Sequence, residues 1–400
     1  METLESALKL ILSHVSPLRD TEALPLSPAL LGRIAAKNIL CPMPVPPFDR
    51  SPLDGYALHA EDIQSASRET PAMLRVIGEA CAGCTTHFSV APGEALRIMT
   101  GAPVPQSCDC VIRQEDTDEG EETVQIYAPV PSGGNICLAG EDIQKDALIV
   151  PRGARLNSGY LGLLSSCGIT EVCVARRPRI ALLCTGDELK QPGETIEYGQ
   201  IYDSNQLVLS CRLMELGCEL MLLKATSDEP DETARALEGA LPKADLVITT
   251  GGVSVGKRDV MHRALPLLSA TRLFWRLAMK PGSPMIASEV SGRLILSLSG
   301  NPFAALVNFE LLCVPAIRKL MGDTSPLPQR FTAPLAGSFP KKSGQRRFCR
   351  AFFDGQQVHL PSANHSNGSL SGVETSNCLI DLPAGTPPIQ AGEMVEVVML

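Results

Sequence analysis

A glycine-rich turn that follows an apolar run carries the most informative chemistry in this sequence. Residues 246–249 predict a buried strand, and Gly251, Gly252, Ser254 and Asp259 come soon after it. Paired glycines let backbone N–H groups approach a ligand closely, and a turn that leads into a helix collects unpaired N–H donors. The segment therefore predicts a site for an anion such as phosphate. The alternative is an ordinary strand-to-helix turn without a ligand.

This turn has nearly the spacing of a P-loop. Gly251, Gly256 and Lys257 fit that motif, but Arg258 stands where Ser or Thr should hold a magnesium ion. A P-loop nucleotidase, which would hydrolyse ATP alone, is therefore rejected as the main interpretation.

Acidic side chains follow another predicted strand end. Asp187 and Glu188 come soon after the apolar run 180–184, and Asp203 lies in the next polar loop. If the strands are parallel, these carboxylates and Asp259 converge at one edge of the sheet, where they could bind a divalent cation or act as general bases. Oxygen ligands favour magnesium. Alternatively, such residues cap the helices that follow.

Two cations stand near a third turn. Arg276 and Lys280 lie on the same side of an alternating segment that ends in Pro281 and Gly282. Beside an anion site they would neutralise phosphate charge. Taken alone, they are equally well explained as solvated surface residues.

The second half of the chain alternates predicted strands and helices. The predicted elements are strands 180–184, 219–224 and 246–249 and helices 206–216 and 229–241. A further helix is predicted after Asp259, and a long apolar helix over 303–321, between Pro302 and Gly322. This order is typical of a doubly wound parallel sheet, in which ligands bind beyond the carboxyl ends of the strands.

Four domains are predicted from the distribution of proline, glycine and alternating segments. Residues 2–15 and 27–38 indicate helices, and a proline-rich linker follows at 41–47. Short alternating segments predict β structure on both sides of the α/β region. The predicted division is an elongated helix and strand domain at 1–45 plus 141–176, a small inserted β domain at 46–140, the α/β domain at 177–326 and a C-terminal β domain at 327–400.

Charge and hydropathy argue against two broad classes of protein. The net charge is −9 and the basic residues are scattered, so the basic face of a nucleic-acid-binding protein is missing. No apolar run approaches the roughly 20 residues needed to span a bilayer, and the N-terminus lacks the features of a signal peptide. We expect a cytoplasmic protein.

The 14 cysteines are mostly spread singly among apolar residues, so most are expected to be reduced core residues. One cluster has spacings that a zinc site could use: Cys81, Cys84, His87, Cys108 and Cys110. Strand-like sequence separates its parts, so buried thiols and a redox pair are the competing interpretations.

Taken together, these segments resemble the MoeA family of bacterial molybdopterin molybdenumtransferases, which is related to the E domain of gephyrin. The resemblance covers nearly all of the chain. Its motifs, in the family's order, are FDRSPLDGY at 48–56, TGAP at 100–103, GEDI at 140–143, TGDEL at 185–189, IYDSN at 201–205, GGVSVGKRD at 251–259, KPG at 280–282 and GNP at 300–302. The implied fold is multidomain α/β and β: a central doubly wound α/β domain of molybdopterin-binding type, an elongated N-terminal region, a small β domain and a C-terminal β-barrel-like domain.

The resemblance implies a homodimer in which the α/β domain of one subunit faces the N-terminal region of the other. It implies an enzyme that, with Mg²⁺, inserts molybdenum from molybdate into adenylylated molybdopterin and releases AMP. Molybdopterin adenylyltransferase and the molybdoenzymes that receive the product would be its partners. Neither nucleic acid nor a membrane is expected to bind.

The family's functional residues carry over onto matching positions of this sequence. The catalytic residues would be Asp142, Asp187, Glu188, Asp203, Asp259 and Lys280, of which Glu188 and Asp259 would bind the metal. The substrate-binding residues would be Asp54, Thr100, Gly251, Gly252, Ser254, Arg276, Pro302, Arg350 and Ser371. Asp54, Thr100 and Asp142 would come from the N-terminal region to complete the cleft.

The departures from the family pattern concentrate in the region expected to hold molybdate. Ser283 stands at the second lysine of KPGKP, Ser299 and Ala304 replace the first proline and the serine of PGNPVS, and Gly372 replaces the second of two serines. Each lost donor would weaken oxyanion binding by about 1–3 kcal/mol. The alternative hypothesis is therefore a non-catalytic or tungstate-preferring molybdopterin-binding paralogue. The sequence leaves open which cation compensates for Ser283: Arg346, Arg347 or Lys342.

Overall fold

The computed structural model describes residues 1–83, 85–223, 229–254, 259–361, 366 and 368–400. The helices and strands of the first half are α1 (Leu4–Ser13), β1 (Thr21–Pro25), β2 (Ile39–Leu40), β3 (Gly55–Leu58), β4 (Ala72–Ala80), β5 (Glu94–Ile98), β6 (Cys110–Arg113), β7 (Thr123–Ile126), β8 (Leu148–Val150), α2 (Ser158–Ser166) and β9 (Glu171–Ala175). Short 3-10 turns lie at Pro28–Leu30, Ala60–Ile63 and Gln114–Asp116.

The second half begins with the α/β region and ends with strands. Its elements are β10 (Arg179–Cys184), β11 (Leu189–Lys190), β12 (Ile201–Tyr202), α3 (Ser204–Glu215), β13 (Glu219–Leu222), α4 (Pro230–Ala240), β14 (Leu246–Thr250), α5 (Val260–Leu267), β15 (Thr271–Trp275), β16 (Met279–Lys280), β17 (Ile286–Val290), β18 (Arg293–Leu298), α6 (Pro302–Asn308), a π-helical segment (Phe309–Cys313), α7 (Val314–Leu320), β19 (Arg330–Pro334), β20 (Arg346–Phe353), β21 (Val358–His359), β22 (Cys378–Leu382) and β23 (Met394–Met399).

The central sheet has the strand order β13-β10-β14-β18-β17-β15. Strands β13, β10, β14 and β18 are parallel, whereas β17 and β15 are added antiparallel. From β10 the chain passes through α3 to β13 on one side, and then through α4 to β14 on the other side. The carboxyl ends of β10 and β14 therefore flank the crevice at which doubly wound sheets bind ligands. The predicted fold class is confirmed.

The N-terminal helix packs against the central unit. Thr3 caps α1 by accepting a hydrogen bond from the Ser6 N–H at 3.1 Å. Leu4, Ala7 and Ile11 form the apolar stripe of a helix with one buried face, and they join the core that also contains residues of α7. The segment 1–45, predicted to lie in one domain with 141–176, thus also contributes to the core of the α/β region.

The predicted helix at 27–38 is wrong. Only a 3-10 turn forms at Pro28–Leu30, and Gly32 follows with a positive φ of 78°. Ile34 and Ala35 then form β-bridges with partners far along the chain. Tertiary pairing with these partners overrides the weak helical pattern, because Pro28 and Gly32 already disfavour a continuous helix.

Pairing between distant strands joins the two segments that flank the small β sheet. Strand β1 pairs with β9 and β2 with β8, which brings parts of 1–45 and 141–176 together. Between them, the sheet β6-β3-β5-β4-β7 has its own buried clusters. The domain limits given above remain a prediction.

The C-terminal strands form the sheet β16-β20-β22-β23-β19, and β21 pairs with β20. Strand β16 belongs to the α/β region in sequence but pairs in parallel with β20. This pairing fixes the C-terminal sheet beside the central one. Within the part of the chain that the structure describes, no helix is both long and apolar enough to cross a membrane.

The long helix predicted over 303–321 is confirmed in extent but not in regularity. Helical structure runs from Pro302 to Leu320, and its middle five residues, Phe309–Cys313, are π-helical. Pro315 has no N–H to donate to the carbonyl four residues earlier, which favours a local change of helical type. Gly322, with φ of 82°, follows the end of the helix as predicted.

Candidate functional site

A cleft of about 570 Å³ opens at the carboxyl ends of β10 and β14. Its lining includes seven of the predicted site residues: Glu188, Asp203, Gly251, Gly252, Ser254, Asp259 and Pro302. These residues come from four separate loops, and the strand order of the central sheet brings the loops together. The cleft therefore unites the predicted anion-binding turn with most of the predicted carboxylates.

The turn at Gly251 and Gly252 can be formed only by glycine. Gly251 has φ of 93°, and a Cβ atom there would lie 2.3 Å from the carbonyl oxygen of Thr185. Gly252 has φ of 63°, and its Cβ would lie 2.6 Å from Cγ1 of Val260. The turn is thus pressed between the loop after β10 and the first residue of α5. Its backbone approaches the cleft more closely than any side-chain-bearing residue would allow.

Two residues outside the predicted site hold the loops of the cleft in place. Thr185 donates to the carbonyl oxygen of Thr250 from both its backbone N–H, at 2.9 Å, and its hydroxyl, at 3.2 Å. The side-chain amide of Asn205 donates to the carbonyl oxygen of Gly300 at 2.8 Å. Both residues lie in the quoted motifs, but no local pattern shows that their partners are on distant loops.

Asp203 combines a structural role with a position in the cleft. Its Oδ1 accepts a hydrogen bond from the Gln206 N–H at 3.0 Å and so caps α3, as the capping alternative predicted. The side chain belongs to a residue that is only 3% exposed, and Oδ2 is buried without a hydrogen-bond partner among the described residues. A buried carboxylate oxygen without a donor is unfavourable. Oδ2 is therefore shielded from solvent, and burial, followed by the charge of Asp203, raises the pKa of the Cys184 thiol to about 12.

Two further carboxylates lie around the same opening, and a third lies beside them. The Glu188 carboxylate folds back over Gly186 in the loop after β10. A Cβ atom on Gly186 would lie only 2.8 Å from the Oε2 atom of Glu188. Asp259 occupies the N-cap position of α5. Asp187 is exposed next to Glu188 and does not line the cleft.

These carboxylates fit a metal ion that is shared with a phosphate ligand, and do not form a complete cage of protein side chains. In the described chain, no group of three or more His, Cys, Asp or Glu side chains is placed to hold a metal ion. Mg²⁺ rarely needs such a cage, because it usually binds through one or two carboxylates together with substrate phosphates and water. The donor set of the cleft fits magnesium that arrives with a phosphate ligand.

The zinc hypothesis finds no support in the described residues. Cys108 and Cys110 are buried, and burial raises the pKa of each to about 12, which favours the buried-thiol interpretation. Cys81 is exposed, and Cys84 lies outside the described residues. The P-loop candidates Gly256, Lys257 and Arg258 also lie outside them.

Arg276 and Lys280 do not line the cleft. The Arg276 guanidinium lies 5.2 Å from the centre of the Trp275 ring, and the Trp275 indole N–H donates to the carbonyl oxygen of Val253 at 3.2 Å. Trp275 therefore contacts both the Arg276 side chain and the residue that follows the glycine turn. Lys280 is exposed in β16, where it is the register partner of Arg347.

Arg350 supports a loop of the cleft from inside the protein. The residue is 1% exposed, and its guanidinium lies 3.9 Å from the centre of the Phe303 ring. It donates to the carbonyl oxygens of Ser369 and Ser371, at 2.7 and 2.6 Å, and to that of Ser366 at 3.0 Å. Burial lowers the pKa of Arg350. These bonds hold the segment that contributes Gly368 to the cleft, and Ser371 takes part through its carbonyl group.

The N-terminal candidates lie apart from the cleft of their own chain. Thr100 donates from its N–H and its hydroxyl to Oδ1 of Asp54, both at 2.7 Å. These two bonds, first the backbone one, lower the pKa of Asp54. Asp142 is exposed, and neither it nor the Asp54–Thr100 pair lines the cleft.

The positions that depart from the family pattern have well-defined local roles. The Ser283 hydroxyl donates to the carbonyl oxygen of Leu277 at 2.8 Å. Ala304 is buried in α6, and Ser299 lines the cleft. Gly372 has φ of 85° and donates its N–H to Oε2 of Glu374 at 2.8 Å.

Family models match three consecutive parts of the chain. The MoeA N-terminal region (domain I and II) matches residues 2–168, the probable molybdopterin binding domain matches 181–319, and the MoeA C-terminal region (domain IV) matches 332–400. The cleft described above lies mainly within the second of these matches, and Gly368 comes from the third.

Relatives and solved structures agree with these matches. A molybdopterin molybdenumtransferase of Staphylococcus epidermidis is 35% identical over 372 residues, which are 92% of this chain and 89% of the relative. The protein of that name from Staphylococcus aureus is 34% identical over the same shares. A molybdopterin biosynthesis MoeA protein from Pyrococcus horikosii has 32% identity and a TM-score of 0.82 over 99% of this chain and 98% of that one. The chain therefore belongs to the molybdopterin molybdenumtransferase family.

Proposed function

We propose that this chain, as an enzyme of molybdenum cofactor biosynthesis, inserts molybdenum from molybdate into adenylylated molybdopterin with Mg²⁺ and releases AMP. The observation that carries the proposal is the shared cleft of Glu188, Asp203 and Asp259 with the Gly251 and Gly252 turn. Donors for phosphate and carboxylates for water and a cation surround one crevice. Cleavage of a phosphate linkage needs both groups at one place.

The glycine turn would bind the phosphate side of the substrate. Gly251 donates its N–H to the carbonyl oxygen of Leu298 at 3.2 Å, so the backbone donors would come from Gly252 and from the start of α5 at Val260. Such donors favour negative charge without requiring a basic side chain. Asn301 and Pro302, from the loop after β18, also line the cleft and would contact the ligand.

The carboxylates would act on water and on the metal. Mg²⁺, when bound, neutralises phosphate charge. Glu188 and Asp259 would hold it, since both line the cleft. Asp203, which lines the cleft, would help to position the water that attacks the adenylate phosphate. Asp187 would add negative charge at the rim.

A homodimer is part of the proposal. Asp54, Thr100 and Asp142 lie outside the cleft lining of their own chain, and a second copy would bring them to the cleft. Molybdopterin adenylyltransferase would supply the substrate, and molybdoenzymes would receive the product. The reaction would take place in the cytoplasm.

A second candidate is a non-catalytic or tungstate-preferring paralogue. Its support is the loss of donors near the cleft: the Ser283 hydroxyl is bound to Leu277, and Ala304 has no polar group. Such a protein would hold adenylylated molybdopterin without turning it over in response to molybdate.

AMP release by the purified protein separates the two candidates. The assay contains adenylylated molybdopterin and Mg²⁺, with no oxyanion, molybdate or tungstate over a concentration series. Release that saturates with molybdate supports the transferase. Tight ligand binding without oxyanion-dependent release supports the paralogue. The Asp259→Ala variant should lose AMP release, and unaltered release would exclude its proposed role.

A further inference from the structure

Two cysteine thiols meet in the N-terminal region, although 126 positions of sequence separate them. The Sγ atom of Cys41 lies 3.2 Å from the Sγ atom of Cys167. Both residues are free cysteines, both are 0% exposed, and both belong to the core cluster that also contains Val150 and Leu164. The fold therefore brings together two thiols that the sequence gives no reason to pair.

Only a small movement separates the two sulfur atoms from bonding distance. A disulfide bond is about 2.05 Å long, so the sulfur atoms need to approach each other by about 1 Å. Cys167 is the C-cap residue of α2, and its N–H donates to the carbonyl oxygen of Leu163 at 3.1 Å. Helix ends fray more readily than helix interiors. The end of α2 can therefore supply the movement without disturbing the rest of the helix.

The other cysteine is held more firmly. The Cys41 N–H donates to the carbonyl oxygen of Ala147 at 2.9 Å, and its carbonyl oxygen accepts from the Asp146 N–H at 2.8 Å. Its thiol donates to the carbonyl oxygen of Met43 at 2.9 Å. These three bonds keep the Cys41 sulfur beside Cys167, so the two thiols are already positioned to react with each other.

The thiol pair is buried, but it lies close to the protein surface. Leu40 and Pro42, on either side of Cys41, are exposed, and so are Ser166 and Gly168, on either side of Cys167. Strand β2, which ends at Leu40, has only two residues and pairs with β8 through a register shift. Short edge pairings of this kind open locally at a low cost in free energy. A small oxidant can therefore reach the thiols after a local opening.

We propose that Cys41 and Cys167 form a reversible disulfide bond when a small peroxide, such as hydrogen peroxide, oxidises them. One thiolate attacks a peroxide oxygen, the O–O bond breaks, and a sulfenic acid forms while the departing hydroxide leaves as water. The second thiol attacks the sulfenic sulfur, so that the S–S bond forms, the S–O bond breaks and a second water leaves. One peroxide thus takes up two electrons and the two thiol protons.

The bond would close a loop that contains the whole small β sheet β6-β3-β5-β4-β7. Cys41 begins the linker at 41–47, so the bond would fix one of the two connections of that sheet to the end of α2. Burial, followed by the hydrogen bond with Cys41, raises the pKa of the Cys167 thiol, so little of it is thiolate at neutral pH. The reaction is expected to be faster at alkaline pH. Neither cysteine lines the cleft, so the site does not depend on the proposed function.

Peptide mapping of the full-length protein tests the proposal. The folded, reduced protein is treated with hydrogen peroxide at mildly alkaline pH, the remaining thiols are alkylated, and the protein is digested with trypsin without reduction. The expected product joins the tryptic peptides 38–50 and 156–176, and dithiothreitol should separate them. The second peptide also contains Cys173, which makes Cys173→Ser the matched control. This variant should keep the linked peptides, whereas Cys41→Ser and Cys167→Ser should lose them.

Each result decides for or against the thiol pair. Two thiols that stay unmodified, or that are oxidised separately to sulfinic acids, would overturn the proposal. The same holds if the linked peptides persist in Cys167→Ser, or form equally well in protein unfolded by urea. If neither serine variant folds by circular dichroism, fragment-ion spectra of the linked peptides from the unmodified protein decide. A bond at Cys167 supports the proposal, and a bond at Cys173 contradicts it.

Discussion

A second cavity, of about 330 Å³, lies beside the cleft, and the two differ in the charge of the side chains that line them. Among the described residues, the charged side chains that line the cleft are carboxylates. The lining of the cavity instead includes the basic side chains of Lys341 and Arg347. Because the described charges of the cleft are negative, a highly charged anionic ligand there would need a metal cation as well.

The wall between the two regions explains how opposite charges stay apart. Phe303 stands at this wall, and Arg350 covers its ring at 3.9 Å. The donors of Arg350 are used for three backbone carbonyls and not for a carboxylate. An apolar ring and a guanidinium bound only to neutral groups thus separate the acidic cleft from the basic cavity.

The largest loss of AMP release is expected from a substitution that removes a negative charge from the cleft and leaves the cavity unchanged. Asp203→Asn keeps a good N-cap for α3, because asparagine also caps helices well. It removes the negative charge of a carboxylate that lines the cleft. We expect AMP release to fall by about 100-fold or more. Asp203→Ala is the companion variant and should also lower the free energy of unfolding, by about 1 kcal/mol. Unchanged AMP release in Asp203→Asn would remove Asp203 from the proposed mechanism.

A change in the cleft backbone should have the next largest effect. In Gly251→Ala, the new Cβ would lie 2.3 Å from the carbonyl oxygen of Thr185 at a φ of 93°. The turn must shift, and AMP release should fall by about 100-fold because small displacements of reacting groups are costly. Gly199→Ala is a matched control, since Gly199 has φ of 92° and nothing within 4 Å of its Cβ position. If the two variants have the same AMP release, the close approach at Gly251 is not needed.

A change in the wall should affect both regions moderately. Arg350→Met removes three hydrogen bonds to the segment 366–371 and the contact with Phe303. We expect the free energy of unfolding to fall by about 1–3 kcal/mol and AMP release to fall roughly tenfold. Urea unfolding and the AMP assay measure the two effects. Normal stability together with lost activity would instead indicate that Arg350 contacts the substrate.

The smallest effect is expected at the pair Asp54 and Thr100, which lines neither the cleft nor the cavity of its own chain. The pKa of Asp54 is lowered by the bonds from Thr100, so their contribution to stability is present at pH values above the unfolded pKa of about 3.9. It is lost as the pH falls through the lower folded value. In Thr100→Val, NMR titration should show the pKa of Asp54 moving upward, because the hydroxyl bond is gone. An unchanged pKa would show that the backbone N–H alone determines it.

Much of the central region could be predicted from the sequence, because its signals are local. Buried parallel strands appear as short apolar runs, such as Leu246–Thr250, and the glycines after them indicate a turn with positive φ. Local signals failed where distant contacts took over. Residues 27–38 form bridges with distant strands, and Thr185 and Asn205 support the cleft through partners on other loops.

Arg346 and Arg347 show the limit most directly. By itself, the sequence determined two adjacent basic residues at the start of a strand, and nothing in their local pattern distinguishes them. Only the tertiary structure decided that Arg346 meets Asp381 and Glu5, whereas Arg347 lines a cavity without a described counterion. The reason is that successive side chains of a strand point to opposite faces, and the partners of each face come from remote parts of the chain. Charge type is a property of the sequence, whereas charge neutralisation is a property of the fold.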